Sequence, residues 1–123
     1  MISVLISSES RYRINRNKIK KGIEDFLGQA GLDDIEVSIN IGGARKIRSL
    51  NKQYRQLDES TDVLSFPQEG SRDPDGVLRL GDIIVCYPIA VQESASEDKM
   101  VDDKINELVE HGMKHLLGIH HPE

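Results

Sequence analysis

All four histidines of this 123-residue chain fall within HGMKHLLGIHH, residues 111 to 121. His111 and His115 are four residues apart, so on a helix their imidazoles stand one above the other and can aim two nitrogens at one point. Gly118 permits the helix to end in a turn, after which His120 and His121 offer a third ligand, and the framework with His121 is H-x3-H-x5-H. Three imidazoles with an open fourth position are what a catalytic zinc requires, whereas a structural zinc is closed by four protein ligands, often thiolates. Cys86 is the only cysteine, which excludes an internal disulfide and a thiolate-closed site.

The intervals of His111, His115, Gly118 and His121 are those of the metzincin peptidase motif, but Gly112 stands where that motif carries its general-base glutamate. Glu110 does not substitute, because one residue along a helix turns a side chain by about 100°. A peptidase lacking its base is disfavoured.

The elements that must position these residues are legible as periodicities. Ile2, Val4 and Ile6 alternate as in a strand, and Ile19, Ile23, Phe26 and Leu27 recur at helical spacing over residues 15 to 29. Ile35, Val37, Ile39 and Ile41 mark a second strand, punctuated by Gly42 and Gly43. Ile47, Leu50 and Tyr54 predict a short helix over 44 to 56, with Arg45, Arg48, Lys52 and Arg55 on its other faces. TDVLSFP and LGDIIVCYP read as strands with proline stops, joined by a loop with Pro74-Asp75-Gly76 as turn chemistry. A last helix is expected from about Ser94 into Leu117, with Val101, Ile105, Leu108, Val109, Gly112 and Leu116 on one buried arc and the first two histidines at its border. The order is βαβαββα, in one domain over residues 1–123.

Charge narrows the partners. The net charge of −5 argues against general adhesion to nucleic acid, yet eleven of the sixteen Lys and Arg lie in two windows, 11 to 21 and 45 to 55. That split permits a basic face on an acidic protein. The opening MISVLISSES has neither a leading basic region nor a long apolar stretch, and no run is long enough to span a bilayer, so a soluble cytoplasmic protein is expected.

Three blocks together resemble the YbeY family of bacterial rRNA-maturation endoribonucleases. HGMKHLLGIHH is similar to the family's H-G-x-L-H-L-x-G-x-D-H motif, LNKQYRQLDESTDVLSFP (Leu50 to Pro67) to its LNxxYRxxDxxTDVLSFP segment, and LGDIIVC (Leu80 to Cys86) to its LGDIxIC strand. His120 stands where the family motif has Asp, and Lys114 where it has Leu.

The resemblance implies an α+β fold, a mixed four-stranded sheet packed on a central helix that carries the metal ligands. It implies His111, His115 and His121 as ligands of one zinc ion, with nickel or copper also compatible with three imidazoles, and Arg55 as the arginine associated with activity. Arg55 would hold the phosphate, and Arg45, Arg48 and Lys52 would line an RNA path to it. The implied substrate is single-stranded RNA, chiefly rRNA, with the small ribosomal subunit and its assembly factors as partners, and no DNA or membrane. Thr61 and Ser65 could position backbone or substrate and Asp82 could orient a strand end or a ligand, with a structural reading preferred for each. Two other functions are open to the same residues: a non-catalytic ribosome-assembly factor with a structural or vestigial metal site, and a zinc peptidase using another base.

Overall fold

A computed structural model describes residues 1–68 and 74–120. Four strands and four helices follow one another as β1 (Ile2–Ser8), α1 (Arg16–Gln29), β2 (Ile35–Gly42), α2 (Ala44–Arg55), β3 (Val63–Pro67), β4 (Leu78–Cys86), α3 (Tyr87–Ser96) and α4 (Val101–His120). The strands form one mixed sheet in the order β1-β2-β4-β3, parallel except for β3.

Alternation decides which face each strand buries. Val4, Val37, Ile39, Ile41, Ile83 and Val85 pack with Ile19, Ile23 and Leu27 of α1 and with Ile105, Val109, Met113 and Leu116 of α4 in the main core. Ile84 and Leu64 point the other way and meet Ile47 of α2, with Cys86 completing a smaller core. Burial pushes the Cys86 thiol above its ordinary range, as expected of a packing residue. Among the described residues no helix is long and apolar enough to cross a membrane.

Two expectations need correction. The order is βαβαββαα, because the single long helix expected from Ser94 is two helices. Pro88 does stop β4, but it stands in the first turn of α3, where its missing N–H costs nothing. α3 ends at Ser96 with Glu97 as its C-cap, Asp98 takes a left-handed φ of 56°, and the Lys99 amide turns back to the Ser94 carbonyl. The second correction concerns Gly118. α4 runs through it to His120 without a break. Glycine weakens a helix but does not oblige it to end.

Gly81 is required where the sheet is most crowded. Glu36 pairs with Arg79 and Val37 with Gly81, so Leu80 is the extra residue of a bulge. Gly81 has φ 135°, and a Cβ there would lie 2.1 Å from the Phe66 carbonyl oxygen on β3. Gly81→Ala combines backbone strain with a clash against main chain that cannot rotate away. It is expected to cost on the order of 4 kcal/mol, read as a lowered urea midpoint.

Candidate functional site

α4 carries the site. His111 and His115 lie on its exposed flank, next to the buried stripe of Leu108, Gly112 and Leu116. With Lys104, Glu107 and Lys114 they line a cleft of about 960 Å³, whose other wall is residues 61 to 66 of β3 and its approach, closed at the far side by Tyr54 and Arg55 of α2. Two of the three expected ligands and Arg55 therefore share one cleft. His121 lies outside the described residues. Among the described residues no three His, Cys, Asp or Glu converge as a metal cluster.

The missing glutamate now has a structural explanation. Gly112 is buried where α4 crosses β4, and a Cβ there would lie 3.1 Å from Ile83 Cγ2. The Cα–Cβ direction at the position after the first histidine points at the sheet, although the Gly112 backbone borders the cleft. A side chain placed there would have to displace Ile83 before it could reach toward the imidazoles.

Ser65, for which the sequence favoured a structural role over a positioning one, meets a histidine that the sequence did not assign to it. Its Oγ lies 2.6 Å from His115 Nδ1, across fifty positions of chain. The signal was a hydroxyl on the helix-facing side of β3, but the strand's two faces could not be told apart from five residues. If Nδ1–H donates to this oxygen, the Nε2 lone pair is left free, the orientation a metal-binding imidazole needs. The exposed i, i+4 imidazoles with one ring already anchored are a donor set that fits a borderline cation such as zinc. Asp82, by contrast, adjoins Ile83, which contacts α4, so it points to the opposite face of the sheet and does not join the histidines.

Arg55 is delivered by its block of sequence. Gln56 ends α2 in a left-handed conformation, φ 60°. The chain then folds back along the helix: Asn51 Nδ2 donates to the Glu59 carbonyl at 3.0 Å, and Ser60 Oγ to the Ala44 carbonyl at 3.1 Å. β3 starts from there and runs past Arg55, with the Tyr54 ring 5.1 Å from Phe66. The other three basic residues do not line the cleft. Arg48 Nε donates to Asp58 at 2.7 Å, Lys52 stands 4.0 Å from the same carboxylate, and Arg45 borders a separate crevice at the start of α2. Arg48 in turn holds the Asp58 carboxyl below its ordinary range.

One wall of the cleft contains a charge cluster with no sequence signature. Lys104 is 6% exposed and donates to Glu97 at 2.8 Å, with Glu107 at 3.4 Å. Glu93 Oε1 is buried without a donor among the described residues. Burial, then the Asp62 charge, push the Glu93 carboxyl above its ordinary range, against the pull of Lys104. A carboxyl whose pKa is raised on folding contributes stability below its unfolded value, and that stability is lost as pH rises through the folded one. Glu93→Gln, a permanent mimic of the protonated form, is expected to change the melting temperature little below the ordinary carboxyl range and to raise it as the pH climbs above that range, as thermal melts of the two proteins across a pH series will register.

Comparison with known proteins gives the cleft a family. The model of the family described as Endoribonuclease YbeY matches residues 5–123. Proteins named Endoribonuclease YbeY are similar along most of the chain: one from Aquifex aeolicus is 35% identical over 96% of this chain and 77% of its own length, and one from Dehalococcoides mccartyi 33% identical over 99% and 84%. Another, from Anaeromyxobacter dehalogenans, is 38% identical over 78% of this chain, which spans 49% of that longer protein. The solution structure of TM1509 from Thermotoga maritima superposes with a TM-score of 0.65 at 26% identity, covering 98% of this chain and 75% of that one. With the family model spanning nearly every element that builds the cleft, the chain belongs to the YbeY endoribonuclease family.

Proposed function

We propose that this protein is a metal-dependent endoribonuclease that cleaves single-stranded RNA, with His111, His115 and His121 holding one zinc ion. The observation that carries the reading is the cleft itself, where two imidazoles at helical spacing, one anchored by Ser65, share a space with Arg55. When bound, zinc would supply a Lewis acid and an acidified water, both needed because an RNA phosphodiester has a poor leaving group.

The chain's own residues do the rest. Arg55 presents a planar fork to the non-bridging phosphate oxygens, where negative charge grows in the transition state. Tyr54 is 61% exposed beside it and offers a face on which an unpaired base can stack. Arg45, Arg48, Lys52 and Arg55 follow the spacing i, i+3, i+7, i+10, a single stripe along α2. RNA phosphates would displace Asp58 from Arg48 as the strand follows that stripe. The family and the cleft support action on rRNA, including maturation of small-subunit rRNA ends and ribosome quality control in the cytoplasm, with ribosomal assembly factors as partners.

The experiment is a salt series on two proteins. Arg55→Ala is expected to lower kcat on a single-stranded rRNA fragment by about 100-fold while retaining RNA binding that weakens steeply with salt. Unchanged cleavage by Arg55→Ala, or binding indifferent to salt, would overturn the assignment.

A further inference from the structure

The cleft has a wall made of backbone as well as side chains. β3 is an edge strand that pairs with β4 alone. The Cys86 amide donates to the Asp62 carbonyl and the Gln68 amide to the Leu80 carbonyl. In this antiparallel register the hydrogen-bonded pairs are therefore those of residues 62, 64, 66 and 68, and Val63, Ser65 and Pro67 occupy the alternate pairs. Their main chain faces away from the sheet. The open edge presents the N–H groups of Val63 and Ser65 and the carbonyls of Val63, Ser65 and Pro67, with no hydrogen-bond partner among the described residues. Pro67 confirms the orientation, since a proline at an outward edge position removes no ladder bond.

We propose that this edge is part of the RNA site, with the Ser65 amide donating to a non-bridging oxygen of the phosphate held between the histidines and Arg55. The inference rests on the nuclease reading and deepens it. Val63 and Ser65 both line the cleft, and the Ser65 hydroxyl already touches His115. A rise of about 3.4 Å per residue puts the two outward amides about 6.8 Å apart, too far to serve one phosphate. Ser65 therefore serves the reacting phosphate, and Val63 serves the sugar-phosphate chain beyond it. Pairing with β4 fixes the amide before substrate arrives, the condition under which a single donor contributes most. An extended peptide is a poorer fit. β3 is five residues long, offers two outward N–H groups, ends in proline, and lies between imidazoles and an arginine suited to an anion.

Two measurements test this. In 15N NMR of the full chain with no metal added, a single-stranded RNA oligonucleotide is expected to move the Ser65 and Val63 amide protons downfield and slow their exchange. The Leu64 and Phe66 amides, held by β4, serve as internal controls and are expected to stay. In cleavage assays Ser65→Ala removes the hydroxyl, whereas Ser65→Pro removes hydroxyl and amide at a position where an edge strand accepts proline. The proline variant is expected to cleave about 100-fold more slowly than the alanine variant, with matching circular dichroism. RNA that shifts α2 resonances but leaves the Ser65 and Val63 amides unmoved would overturn the edge proposal and spare the nuclease. The same holds for equal rates in the two folded variants, or for an extended peptide protecting those amides where RNA does not. No RNA-dependent shift anywhere, with no cleavage by the parent protein, would overturn both.

Discussion

His115→Ala is expected to lower RNA cleavage by at least about 1000-fold, since a Lewis acid contributes several kcal/mol to the transition state and each 1.4 kcal/mol is tenfold in rate. The fold should hardly notice. His115 is exposed on α4, and among the described residues Ser65 is the one hydrogen-bond partner of its ring. A surface substitution of this kind stays within about 0.5 kcal/mol, or roughly 3 °C in melting temperature. Zinc binding, followed by native mass spectrometry, is expected to fall together with activity. Ser65→Ala should show the same loss in weaker form, about 10- to 100-fold in metal affinity, because it releases the ring without removing it. Cleavage that survives His115→Ala intact would show that the imidazoles are not the reaction centre.

The second large effect concerns Gly112→Glu, the change that would complete a metalloprotease motif. It is expected to unfold or severely loosen the protein rather than create a peptidase. The smaller change shows why. Gly112→Ala gains about 1 kcal/mol of helix propensity and loses about 1–3 kcal/mol to overpacking against Ile83, so its net effect lies between about zero and about 2 kcal/mol of destabilisation. A glutamate adds four more heavy atoms and an unpaired charge in the α4–β4 contact, a cost of about 3–5 kcal/mol beyond that. Urea titration of the three proteins will separate the cases. A Gly112→Glu protein as stable as the parent would mean that α4 does not sit against Ile83 as described.

How much of this was legible beforehand follows from where each signal resides. β1, β2 and the first two helices carry their apolar residues at period 2 or 3.6 because each buries chiefly one face or stripe, whereas β3 and β4, packed on both faces, show as short apolar runs bounded by proline. α3 carries no such pattern. It buries only Ala90 and Ser94 and opens on Tyr87-Pro88, so it looked like the tail of a strand. Arg55 was legible because its whole block constructs the turn that delivers it. Ser65 was legible only as a possible positioning residue, because its His115 partner depends on which face of β3 meets α4, and that is settled by the Ile83–Gly112 contact far away in sequence. The engagement of Arg48 and Lys52 by Asp58 was hidden for a similar reason, since a left-handed Gln56 is what returns the chain to them.

The central claim is that a metal at the histidines cleaves single-stranded RNA. It is tested most directly by stripping the tag-free protein of metal and incubating it with a labelled single-stranded rRNA fragment, with and without one equivalent of zinc. Cleavage that appears only with zinc, and is absent from His111→Ala treated identically, is the predicted result. Equal cleavage with and without zinc, or tight zinc binding with no cleavage on free RNA or on ribosomal particles, would contradict the claim and favour an assembly factor that binds rRNA without cutting it.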